Sequence, residues 1–161
     1  MERPFPAYKG TDPYVFVCYA HDDAALVYPE MEHLKEAGFR IWYDEGISPG
    51  SAWRDEVALA LTQCSVFLYF VSPRSVSSTN CLQEVNFCLS RERTLLSVHL
   101  EETTLPAGLE LSLSDRQAII RGDHAEVCTA GNVGYPRGLV APLLPVAYGV
   151  RPACRWGVAK W

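Results

Sequence analysis

Apolar runs and amphipathic stretches alternate along this chain in a regular order. Tyr14-Val15-Phe16-Val17-Cys18-Tyr19 is apolar at every position, rich in aromatic and β-branched side chains, and stops at the polar Ala20-His21-Asp22-Asp23. A run with no polar face predicts a strand covered on both sides, as in a parallel sheet. The next stretch turns Leu26, Met31 and Leu34 toward a core, with Asp22 or Asp23 as N-cap or first-turn acid and Gly38 as the residue past its end. Pro29 falls inside it and is expected to kink this helix or to begin its regular part. Residues 39–43 read as a second strand and 44–50 as a loop. Ser51 caps a helix with Trp53, Val57 and Leu61 on one face. Residues 65–72 (SVFLYFVS) form a third buried strand, and Ser78 caps a helix over 79–90. Residues 95–100 and 116–120 read as a fourth and a short fifth strand.

Strict strand–helix alternation with short links predicts an α/β fold, a parallel sheet with helices on both faces. Ligands gather at the carboxyl ends of strands in such sheets, so the polar, irregular loops after Tyr19, Tyr43 and Val71 are the ones to watch. Beyond about residue 122 the pattern stops. Residues 128–161 are loaded with Gly, Pro and Trp and follow neither period. A closing amphipathic helix is expected there and none is legible, so residues 122–161 are expected to be an irregular tail, poorly ordered or atypical, or the junction to a longer protein.

A length of 161 residues suits one domain with a core that needs no disulfide or metal. The net charge of −5 and the lack of any Lys/Arg run argue against nucleic acid as a partner. Residues 1–6 lack the pattern of a signal peptide, and the longest apolar stretches, 66–71 and 139–150, are too short to span a bilayer, so no membrane partner is expected. Cys18, Cys64, Cys81, Cys88, Cys128 and Cys154 show neither C-x-x-C nor zinc spacing, which points to reduced thiols and a cytoplasmic location.

Glu84 is the leading candidate for chemistry. With Ser78 as cap it lies on the second turn of its helix, close to the mouth of the third strand, partly desolvated and near a helix N-terminus. A carboxylate there can stabilise positive charge growing on a sugar carbon. A solvated helix acid, paired with Arg91, is the plainer alternative. His21 can meet a phosphate or serve as an ordinary loop histidine. Asp22 and Asp23 can bind a metal, although helix capping explains them more simply. Tyr19 and Trp53 can stack on a base or pack in the core. His33 and His99 have no partner pattern. A receiver domain of two-component signalling would need an Asp after the third strand, where this chain has Val71-Ser72-Pro73, and a Lys after a late strand; both are missing.

Four blocks, YVFVCYAHDD, GFRIWYDEGISPGSAWRDEVALAL, FLYFVSPRSVSSTNCLQEVNFCL and LPAGLELSLSDRQAI, occur in order over residues 13–121. In them the chain resembles the Toll/interleukin-1 receptor (TIR) domain family, especially its bacterial branch. The resemblance implies a flavodoxin-like three-layer sandwich with a parallel sheet of about five strands. It makes residues 44–53 the BB loop, a surface for TIR–TIR self-association, through Asp44, Glu45, Gly46, Ile47, Ser48, Pro49 and Gly50. Many TIR domains cleave NAD+ at the nicotinamide–ribose bond by hydrolysis or cyclisation, and others act only as interaction modules. The family's catalytic glutamate lies in an S-x-x-C-x-x-E pattern, matched by Ser78, Cys81 and Glu84. Nicotinamide is already a cationic leaving group, so one carboxylate suffices and neither metal nor cofactor is implied; NAD+ is the substrate. Tyr19, His21 and Trp53 become its expected contacts. Asn80 stands where many active members carry a base-stacking Trp. The implied function is an NAD+ nucleosidase in bacterial immune signalling, activated by self-association, with a non-catalytic TIR–TIR module as the alternative.

Overall fold

The computed structural model describes residues 2–45, 51–114 and 116–120. Residues 46–50 of the predicted self-association loop, the tail from 122 onward, Cys128 and Cys154 lie outside them. Five strands, β1 (Val15–Cys18), β2 (Ile41–Tyr43), β3 (Val66–Val71), β4 (Leu95–His99) and β5 (Gln117–Ile120), alternate with four helices, α1 (Ala24–Glu36), α2 (Ser51–Gln63), α3 (Thr79–Ser90) and α4 (Ala107–Leu113). Short 3-10 turns at His21–Asp23 and Ser75–Ser77 lead into α1 and α3. All strand pairs are parallel and the sheet order is β2-β1-β3-β4-β5, the flavodoxin-like arrangement.

β1, β2 and β3 are apolar on both faces because each face has its own helical cover. On one side Val15, Val17, Ile41, Tyr43, Leu68, Phe70, Leu96 and Val98 join Val27, Met31 and Leu34 of α1. On the other Phe16, Cys18, Trp42, Phe67, Tyr69 and Val71 join Val57 and Leu61 of α2, Cys81, Val85 and Cys88 of α3, and Leu109 and Leu113 of α4. Phe16 stacks between Trp42 and Phe67, with ring centroids 4.6 and 5.4 Å apart. Burying each such side chain contributes about 1.5–3 kcal/mol.

The structure corrects three details of the sequence reading. Helix α1 is regular from Ala24, upstream of Pro29, and its fully buried stripe is Val27-Met31-Leu34, with Leu26 only partly covered. Asp23 stands at the N-cap position of α1, as expected, but its side chain makes no capping hydrogen bond. Helix α4 has no counterpart in the sequence reading. Gly38 does terminate α1, at a φ of 91° that a side chain would disfavour. No described helix is long and apolar enough to cross a membrane.

Candidate active-site cleft

The chain runs from β1 to one edge of the sheet through β2, then returns to β3 on the other side of β1. The loops leaving β1 and β3 therefore part in opposite directions and open a crevice at their carboxyl ends. By register Val17 pairs with Tyr43 and Cys18 with Tyr69, so β1 and β2 end within a residue of each other and β3 runs two residues further, to Val71. A cleft of about 370 Å³ lies here, lined by Tyr19, His21, Asp22, Asp44, Arg74, Ser77, Ser78, Asn80, Cys81 and Glu84. The residues after β1, β2 and β3 thus meet in one place.

Helix α3 delivers Glu84. The Ser78 side chain accepts a hydrogen bond from the Cys81 amide at 3.4 Å, starting the helix at Thr79. Cys81, Val85 and Cys88 form its buried stripe, and Glu84 is one turn after Cys81 and one before Cys88, so helical geometry carries its carboxyl inward. Burial pushes Glu84 up to about 8; the charges of Cys81 and Asp44 add to the rise, while a hydrogen bond from the Cys18 thiol and the nearby His21 oppose it. Cys81, held by Cys18 and Ser78, is lowered to about 7, and the buried Cys18 keeps its proton. His21 Nε2 stands 3.5 Å from an Asp44 carboxylate oxygen, a contact that raises the histidine.

Other expected contacts fare differently. Tyr19 is on the cleft wall but only 6% exposed, its hydroxyl 3.4 Å from that of Tyr28, so most of the ring is core. Asn80 is exposed at the rim. Trp53 is half-buried against the second core and lines a separate small crevice with Trp42, Asp44 and Glu56. It is absent from the described lining of the Glu84 cleft, because the face it shares with Val57 and Leu61 is turned to the sheet. Asp44, expected on the association loop, faces the cleft through His21, and Glu45 bonds Arg3 and the Ala7 amide. Among the described residues no group of three His, Cys, Asp or Glu side chains is placed to hold a metal ion.

Sequence reasoning missed the polar seam beneath the rim. Asp23 is 1% exposed and accepts from the Ser72 hydroxyl at 2.5 Å and from Arg74 Nε, while Arg74 Nη2 reaches Glu101. Asp23 therefore fastens the β1 loop to the β3 loop. Asp23→Ala leaves the buried Ser72 hydroxyl without its acceptor and releases the exposed Arg74, and is expected to cost about 1–3 kcal/mol in urea unfolding, with Asp23→Asn milder. The only hint in the sequence is the polar Ser72-Pro73-Arg74 after an apolar strand.

A TIR-domain family model matches residues 15–126. The chain belongs to the TIR domain family. Among solved structures it is similar to the TIR domain of the Toll-related receptor TRR-2 from Hydra magnipapillata, with TM-score 0.58 and 18% identity over 68% of this chain and 84% of that one. It is also similar to a metazoan TIR-STING receptor from C. gigas, with TM-score 0.53 and 21% identity over 89% of this chain and 48% of that one. A third, the Clostridium botulinum CMP N-glycosidase BcmB, has TM-score 0.50 and 15% identity over 66% of this chain and 88% of that one. At these identities the likeness is one of fold. No curated protein matches the chain by sequence.

Proposed function

We propose that this TIR domain cleaves NAD+ at the nicotinamide–ribose bond, with Glu84 as the catalytic carboxylate. The observation that carries this reading is the placement of the Glu84 carboxyl in a cleft at the sheet's switch point, within the Ser78-Cys81-Glu84 spacing. The C1′–N bond breaks with its electron pair going to the pyridinium nitrogen, which leaves as neutral nicotinamide. Positive charge then develops on C1′ and the ring oxygen, and an anionic Glu84 beside it lowers that barrier. Water adds to C1′ and loses a proton, giving ADP-ribose; attack by a nucleophile within the same molecule gives a cyclic product instead. The C. botulinum neighbour indicates that a fold of this kind accommodates an N-glycosidase.

The association loop that begins at Asp44 and Glu45 suggests activation by self-association, and bacterial immune signalling is the setting we infer. Purified protein mixed with NAD+ is expected to release nicotinamide at a rate per molecule that climbs with protein concentration or crowding. Strict proportionality of the total rate to concentration would remove the self-association step, and no nicotinamide at any concentration would remove the enzyme. Chromatography of the sugar product separates hydrolysis from cyclisation. The exposed polar Asn80 at the rim favours a second reading, a TIR–TIR interaction module without catalysis. That reading is adopted if concentrated protein associates yet leaves NAD+ intact.

A further inference from the structure

We propose that Arg74 binds the diphosphate of the dinucleotide and that Glu101 competes with the substrate for it; this rests on the NAD+ reading above. A dinucleotide brings two negative charges into a cleft whose described lining already includes Asp22, Asp44 and Glu84. It needs a cation, and the cation must stand apart from Glu84, because the ribose separates the bond that breaks from the diphosphate. Of the cleft's described lining, Arg74 carries a positive charge and His21 can take one up. His21 is 57% exposed, its Nε2 is 3.5 Å from an Asp44 carboxylate oxygen, and its charge acts on Glu84, so it sits with the bond that breaks rather than with the diphosphate. Arg74 enters from the β3–α3 loop, which is braced by reciprocal bonds between Ser72 and Ser75, amide to hydroxyl, at 2.9 and 3.0 Å.

The buried Asp23 fixes the guanidinium through Nε, so its direction is set before a ligand arrives. Its contacts to Asp23 and Glu101 use one hydrogen on Nε and one on Nη2, out of the five an arginine offers. Glu101 differs from Asp23 in being 42% exposed and outside the cleft's described lining. An exposed ion pair of this kind holds weakly. A phosphate oxygen can displace Glu101 by exchanging one anion for another, and it gains the forked donor geometry that arginine offers to phosphate.

Initial rates with NAD+ and with nicotinamide riboside, which has the same scissile bond and no diphosphate, test this. Arg74→Gln is expected to raise KM for NAD+ about tenfold, leave its kcat within about twofold, and leave the riboside's constants unchanged. Glu101→Gln keeps the Asp23–Arg74 pair and hence the fold, and is expected to lower KM for NAD+ about threefold with no change for the riboside. Partial misfolding would depress both substrates together, so the ratio between them is immune to it. Equal effects on the two substrates, or a Glu101→Gln KM that does not fall, overturn the assignment. If the wild type cleaves neither substrate, the NAD+ reading is lost, and calorimetry with inorganic pyrophosphate decides Arg74 alone. Binding that Arg74→Gln abolishes supports the anion site; no binding to the wild type overturns it.

Discussion

Glu84→Gln is expected to lower nicotinamide release from NAD+ about a thousandfold, the scale of losing one preorganised charge beside a charged transition state. The substitution is close in shape, so the packing of α3 is preserved. Stability is expected to move the other way. The folded protein holds the Glu84 proton up to about pH 8, against an ordinary value of 4.5. Its contribution to stability is thus complete below about pH 4.5 and is lost as pH rises through 8, where an ionised carboxylate must remain in a poorly solvated place. Glutamine does not titrate. The variant's Tm is therefore expected to match the wild type near pH 4.5 and to exceed it at pH 8.5. A Tm depressed at both pH values would mean that the carboxylate holds the fold together, and undiminished nicotinamide release would take Glu84 out of the chemistry.

How much of this was legible in advance differs by residue. The strands were, because a parallel sheet covered on both faces demands apolar residues at consecutive positions, and VFVC, VFLYFV and LLSVH supply nearly that. Helix α4 was not: with Leu109 and Leu113 as its buried pair it spans barely two turns, too few for a period to show. Leu26 was set one position off because it lies five residues before Met31, whereas Val27, Met31 and Leu34 share one face at helical spacing. Asp23 looked like a cap since caps are local, whereas its partners Ser72 and Arg74 lie 49 and 51 positions away. Trp53 illustrates the same limit. Its neighbours in sequence belong to the loop, but the stripe it shares with Val57 and Leu61 ties it to the core. Glu84 itself could be placed from spacing, while its protonation could not, since that depends on Cys18 and Asp44 arriving from other elements.

That protonation sets the second large effect. For NAD+, kcat/KM is expected to rise with pH at a slope near one and level off above about 8, the value to which burial pushes Glu84. Two pH units below the midpoint only about one molecule in a hundred carries the ionised carboxylate, so the rate at pH 6 is expected to lie about a hundredfold below the plateau. The groups facing Glu84 set the midpoint with opposite signs: Asp44 and Cys81 push it up, whereas the Cys18 thiol and His21 pull it down. Cys18 is the strongest of the downward influences, so Cys18→Ala is expected to move the midpoint above the wild-type value. Substrate acts in the same direction as His21. A bound pyridinium cation beside the carboxyl favours its ionised form, so the midpoint in kcat, which reports the complex, is expected to lie below that in kcat/KM, which reports the free enzyme. The cleft therefore keeps the acid largely neutral while empty and draws off its proton when the cationic nucleotide enters, which delivers an anion at the moment positive charge moves onto the ribose. A rate that stays flat from pH 6 to pH 9 would sink this account, because no carboxyl held near 8 could then be required in its charged form.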